Sequence, residues 1–167
     1  MAVINFDTLV NWSQFSQLSA RPSDKDEDAQ ISQQVSFSNF NLERKNGKLT
    51  IKDVDVRVSL VDGECWVVSN QMSDALLKHE QGHYDILALS ARALYKALVG
   101  QGAATATELQ QKALRLQASF GAQATTVNDR YDTQTNHSRN TTAQQLWNTR
   151  ISEAKLNPQG TLDNLPT

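Results

Sequence analysis

Among its 167 residues the chain has one cysteine, Cys65, so an internal disulfide is excluded. A thiol nucleophile would need a histidine partner; Cys65, beside Trp66, reads instead as a small buried hydrophobe. No apolar run is long enough to span a membrane. Lys and Arg form no stripe and the formal net charge is -2, which argues against nucleic acid as a partner, because phosphate binding needs clustered cations. Met1–Leu9 lacks the basic flank and apolar core of an export signal. The acidic run Asp24–Asp28 lacks the glycine and terminal glutamate of a calcium loop, so it reads as a solvated loop. What is present suits one domain: 39% hydrophobic and 20% charged residues allow a core and speak against wholesale disorder.

The pattern changes near Ser69, from strand signals to helix signals. Trp12 and Phe15 sit in a polar frame and suit an anchor for the N-terminal segment. Val35 and Phe37, then Phe40 and Leu42, predict strands with a break between them. Asn46-Gly47 predicts a hairpin turn, because both residues tolerate positive φ. Val54, Val56, Val58 and Leu60 alternate with polar residues, as in a strand with one buried face. Asp62-Gly63 then turns the chain into a strand at Cys65–Val68. Together these predict a small antiparallel sheet. Ser73 can cap a long helix that Gly100 and Gly102 end. A second helix is predicted from about Thr105 to about Tyr131, a polar loop from Thr133 to Asn140, and a last helix around Leu146, Trp147 and Ile151. The tail after Asn157, with Pro158, Gly160 and Pro166, is expected to be loose. The expected organisation is one domain over residues 1–157 with a free tail over 158–167.

Within the first long helix lies His79-Glu80-Gln81-Gly82-His83. At about 100° per residue, His79 and His83 share one face one turn apart, so both imidazoles can reach one ion. Neutral imidazole is a good zinc ligand. Glu80 falls beside the open coordination position, where it can take a proton from zinc-bound water and pass it to a leaving group. A catalytic zinc keeps three protein ligands. For the third, the favoured residue is His137, the only other histidine, ahead of Glu108, with Asp132 a further rival. Asp85 sits about 200° from His83 around the helix and suits a supporting role instead. Ile86 and Leu89 stand where an extended metzincin pattern would have glycine and a third histidine, which excludes that arrangement. Tyr131 has two readings: core at the end of the second helix, or a phenol donor stabilising an oxyanion. Arg92 is expected to pair with a carboxylate.

Leu77-Lys78-His79-Glu80-Gln81-Gly82-His83-Tyr84-Asp85-Ile86 with Ala91-Arg92 resembles a bacterial family of unknown function whose members are described as secreted zinc-dependent proteases. A second block agrees: Tyr131-Asp132, Thr135, His137, Gln144 or Gln145, Trp147-Asn148 and Ile151. The early Trp12-Ser13-Gln14-Phe15 is similar too, so the resemblance runs from about Trp12 to Ile151. It implies His79 and His83 as ligands, Glu80 as base, a role for His137, and a periplasmic or secreted location. Where the family often has glycine after this histidine, the chain has Ser138.

The resulting expectation is an α+β, zincin-like fold: a small antiparallel sheet on the motif helix, then two further helices. The expected activity is a zinc metallopeptidase acting on a peptide or protein substrate, with an edge strand along the cleft holding an extended chain. Two rivals stand beside it: a zinc amidase acting on cell-wall peptides or small amides, and a non-catalytic zinc-stabilised binding domain.

Overall fold

A computed structural model describes residues 3–167. In chain order the elements are β1 (Val3–Ile4), β2 (Ser16–Leu18), β3 (Ala29–Gln30), β4 (Gln33–Lys45), β5 (Lys48–Leu60), β6 (Trp66–Val68), α1 (Asp74–Leu98), β7 (Gly102–Ala103), α2 (Ala106–Thr135) and α3 (Thr141–Leu156). Single 3-10 turns lie at Trp12–Gln14, Ser69–Gln71 and Leu162–Asn164.

The fold is α+β with three helices, and its dominant strand feature is the β4–β5 hairpin. Asn46 and Gly47 take φ of 51° and 77°, the paired positive values of a type I′ turn. Val54, Val56 and Val58 point inward and are buried, as their alternation predicts. The expected break between Phe37 and Phe40 is a bulge within one continuous strand. The register shifts between Ser38 and Asn41, and Asn39 takes a φ of 50°. The extra residue resets the alternation, so both phenylalanines pack on the core and meet edge to face at 5.3 Å.

The expected single antiparallel sheet is instead two small sheets of mixed direction. In the larger, ordered β1-β5-β4 with β7 also on β5, β1 runs parallel to β5 while β4 and β7 run antiparallel to it. In the smaller, ordered β2-β6-β3, β2 is parallel to β6 and β3 antiparallel. The added strands are two or three residues long, too short for a hydropathy alternation to mark them.

The first helix lies between the sheet and the other two helices. The Ser73 hydroxyl accepts the Leu76 amide at 3.2 Å, which fixes where α1 begins. One side of α1 joins an apolar cluster with Val54, Val56 and Val58; the other joins a second cluster with Tyr131, Trp147 and Ile151. The second helix runs past Tyr131 to Thr135, further than expected: its last turn is polar in sequence, but Asp132 points at the motif histidines, Gln134 accepts from Trp147 and Thr135 is buried. The segment after Asn157, expected to be loose, is docked. Leu162 and Leu165 enter the second cluster, and Gly160 packs so closely on Ala154 that a Cβ would lie 2.0 Å from its carbonyl oxygen. Arg92 takes part in this docking. It donates to the Ala154, Lys155 and Gly160 carbonyls, not to the expected carboxylate. Among the described residues, no helix is long and apolar enough to cross a membrane.

Candidate metal centre

His79, Glu80 and His83 occupy the second and third turns of α1 and are all buried. The two Nε2 atoms lie 3.3 Å apart. From α2, Asp132 brings Oδ1 to 3.1 Å from His79 Nε2 and 3.0 Å from His83 Nε2. His137 follows in the turn after α2, with Nδ1 3.4 Å from the same oxygen. Two ligands held at about 2.0–2.1 Å in a tetrahedron stand roughly 3.3–3.4 Å apart, so these spacings suit one small ion.

The far nitrogens of the two motif histidines are each held by an amide. His79 Nδ1 lies 3.0 Å from Gln144 Oε1, and His83 Nδ1 lies 2.7 Å from Asn128 Oδ1. The Gln144 amide nitrogen already donates to Tyr131 Oη and Asn148 Oδ1, and that of Asn128 donates to the Ala124 carbonyl. Both amide oxygens are therefore acceptors, and both Nδ1 atoms carry protons. This tautomer aims the Nε2 lone pair of His79 at the shared point, the arrangement that supports metal-ligating histidines. Sequence reasoning missed Asn128 and gave Gln144 no role. Both are ordinary polar helix residues, brought to the histidines from 45 and 65 positions away by the packing of α2 and α3.

Residues 64–138 match the model of a family described as bacterial protein of unknown function (DUF922). That description names no activity. The matched stretch contains His79, Glu80, His83, Asp132 and His137, and Gln144 lies outside it. It is also shorter than the resemblance read from Trp12 to Ile151. No curated protein and no solved structure matches the chain.

The electrostatics follow from burial and from the Asp132 charge. Burial opposes a proton on His83, but the hydrogen bond and charge of Asp132 outweigh it and raise the imidazole to about 9. Burial works against the Asp132 charge too, yet hydrogen bonds from His79 and His83 hold that carboxyl well below its ordinary range. Burial lowers His79. One proton on His83 can serve only one of the contacts among these three atoms. A divalent cation would meet all three lone pairs and displace the proton. The donor set, two imidazoles and a carboxylate oxygen, is one zinc accepts.

Glu80 points into the same space. Burial pushes its carboxyl up to about 7, against the pull of the His83 charge. Its Oε2 is buried without a hydrogen-bond partner. The histidines, Glu80 and Asp132 line a cleft of about 350 Å³. Its walls are Gln30, Ile31 and Gln33 on one side and Gly121, Ala124 and Thr125 of α2 on the other.

Other expectations change. Of the two readings of Tyr131, its placement agrees with core. It is fully buried, stacks on the His79 ring at 4.6 Å, donates to the His79 carbonyl at 3.1 Å and does not line the cleft. Glu108 is committed elsewhere. It closes the capping box at the start of α2, 24 residues before Asp132 and so about 36 Å away along the helix. Asp85 accepts from Gln81 and from Lys155 at 2.8 Å on the opposite face of α1. The acidic run is less free than a solvated loop. Arg139 donates to the Asp26 carbonyl and to Asp28, and Asp26 stands 3.5 Å from His137 Nε2.

Proposed function

We propose that this protein is a zinc-dependent hydrolase with a zincin-like catalytic helix, and that its substrate is a peptide or protein. The observation that carries the reading is the convergence of His79 Nε2, His83 Nε2 and Asp132 Oδ1 beside the unpartnered oxygen of Glu80, all in one cleft. His79 and His83 would hold the ion, with a third group drawn from Asp132 and His137. When bound, zinc supplies a Lewis acid for a carbonyl oxygen and lowers the pKa of a coordinated water to about 7.

The residues themselves account for the rest. Glu80 takes the proton of the attacking water and returns it to the leaving nitrogen. Its carboxyl is buried in the cleft with one oxygen free of any hydrogen bond, which places it for both transfers. Gln144 and Asn128 keep the imidazoles oriented. The outer edge of β3, in the short sheet, borders the cleft at Ala29–Ile31 and suits an extended backbone laid along it. That edge favours a peptide over a small amide.

One observation favours the non-catalytic rival. His79, His83, Asp132 and His137 together could fill a tetrahedral shell and close the site. Replacing Glu80 by Gln separates the readings. The expected result is one zinc per chain in wild type and variant, with hydrolysis of fluorescein-labelled casein reduced about 100-fold or more in the variant. Equal hydrolysis by both proteins would remove Glu80 as the base.

A further inference from the structure

The four groups at the candidate centre are not equivalent. His79 Nε2, His83 Nε2 and Asp132 Oδ1 form a triangle with sides of 3.3, 3.0 and 3.1 Å, one face of a zinc-sized tetrahedron. His137 stands beside it, with Nδ1 3.4 Å from Asp132 Oδ1 and a ring nitrogen within 4.8 Å of one on His79, a looser approach than any side of the triangle. Its ring centroid is 6.4 Å from that of His79, against 4.8 Å between His79 and His83. The motif histidines have their far nitrogens fixed by neutral amide oxygens at 3.0 and 2.7 Å. The far nitrogen of His137 faces the acidic loop instead, with Asp26 3.5 Å away on a side chain that is 80% exposed and a Glu27 carboxylate oxygen within 4.8 Å of the ring. It lacks the fixed, buried partner that usually supports a ligating imidazole.

The backbone holds His137 deliberately all the same. Asn136, His137 and Ser138 take φ of 48°, 49° and 73°, three successive left-handed residues without a glycine, each costing on the order of 1 kcal/mol. The His137 amide donates back to the Asp132 carbonyl at 3.2 Å, and Arg139 ties the same turn to the loop across the cleft mouth. The ring lines the cleft with Glu80 and is 20% exposed. A side chain kept at this position by a strained turn, beside the centre and open to the cleft, is placed to meet whatever enters.

We infer that Asp132, and not His137, completes the protein ligands of the metal, and that His137 is a catalytic hydrogen-bond donor to the carbonyl oxygen of the substrate. The assignment rests on the zinc-hydrolase reading. It leaves the fourth position open for water and substrate, as catalysis requires. It also supplies the oxyanion donor that Tyr131, buried away from the cleft, does not provide.

Zinc affinity, measured by competition with a chromophoric chelator, tests the ligand half. Asp132→Ala is expected to weaken zinc binding about 100-fold or more, and His137→Ala to change it less than about threefold. The donor half is read from acetohydroxamate binding to the zinc-loaded protein, which needs no knowledge of the natural substrate. His137→Ala is expected to lower that affinity about tenfold, and His137→Gln, which keeps an N–H donor, to recover part of it. Zinc lost from His137→Ala, or kept by Asp132→Ala, overturns the ligand assignment. Unchanged acetohydroxamate affinity in His137→Ala overturns the donor role. A wild-type protein that takes up no zinc overturns the zinc reading itself, and with it both halves.

Discussion

Gly82 shows how one atom constrains the site. It lies between the two histidines of α1, and a Cβ there would meet Tyr131 Oη at 2.2 Å and Tyr131 Cζ at 2.7 Å. Helix propensity alone favours alanine over glycine by about 1 kcal/mol. The clash acts the other way, at about 1–3 kcal/mol, because the phenol has nowhere to go: it is stacked on His79, donates to the His79 carbonyl and accepts from Gln144 at 2.6 Å. Displacing the ring would also disturb the amide that orients His79. Gly82→Ala is therefore expected to lower unfolding free energy by about 1 kcal/mol and to weaken zinc binding. Urea unfolding and chelator competition read the two effects. A variant more stable than wild type would mean that propensity wins and that Tyr131 is free to move.

At the scale of elements, the centre depends on a long-range clamp. Asp28, just before β3, accepts from Arg21 Nη2 at 2.5 Å and from Arg139 Nη2 at 3.0 Å. Burial works against its charge, but the two guanidiniums hold the carboxyl below its usual value. A depressed pKa contributes stability that is present above the unfolded value near 3.8 and lost as pH falls through the folded one. Both arginines are more than a third exposed, so the contribution is about 1 kcal/mol or less. Asp28→Asn should then lower stability near neutral pH by that amount, with the gap to wild type closing below about pH 4. Thermal melts across that range check it, and a gap independent of pH would point to lost packing rather than lost charge. Nothing in the sequence announces this clamp, which joins residues 111 positions apart. What was legible is local: the Asn46-Gly47 turn, the Ser73 cap, the valine alternation of β5 and the histidine spacing each depend on a few neighbouring residues. Asn128, Gln144, the docked tail and the Asp26–His137 approach depend on which helix faces which, and a single sequence does not carry that. Tyr131 kept two readings for the same reason: its position marks an inner face, and only the packing of α1 and α3 around it decides which way the hydroxyl points.

At the scale of the whole molecule, the question is whether zinc builds the fold or is held by it. The first helix is packed on both sides by separate apolar clusters, one with the sheet and one with α2, α3 and the tail. In zinc-finger domains, by contrast, the ion replaces a core and the metal-free chain is unfolded. Here the ion would only join α1 to α2 within a body that already has its core. The zinc-stripped protein is therefore expected to unfold cooperatively, not to be unfolded from the start. Adding zinc to a free concentration of about 100 times its Kd should stabilise it by about 2.7 kcal/mol. For a chain of this size that raises Tm by roughly 5–11 °C. His83→Ala should abolish the shift, because a ligand is gone, and Glu80→Gln should keep it, because the base is not a ligand. Calorimetric scans with zinc and with chelator test all three proteins. A metal-free wild type without a melting transition would favour the structural-zinc reading, and equal midpoints with and without zinc would remove the ion from the native state.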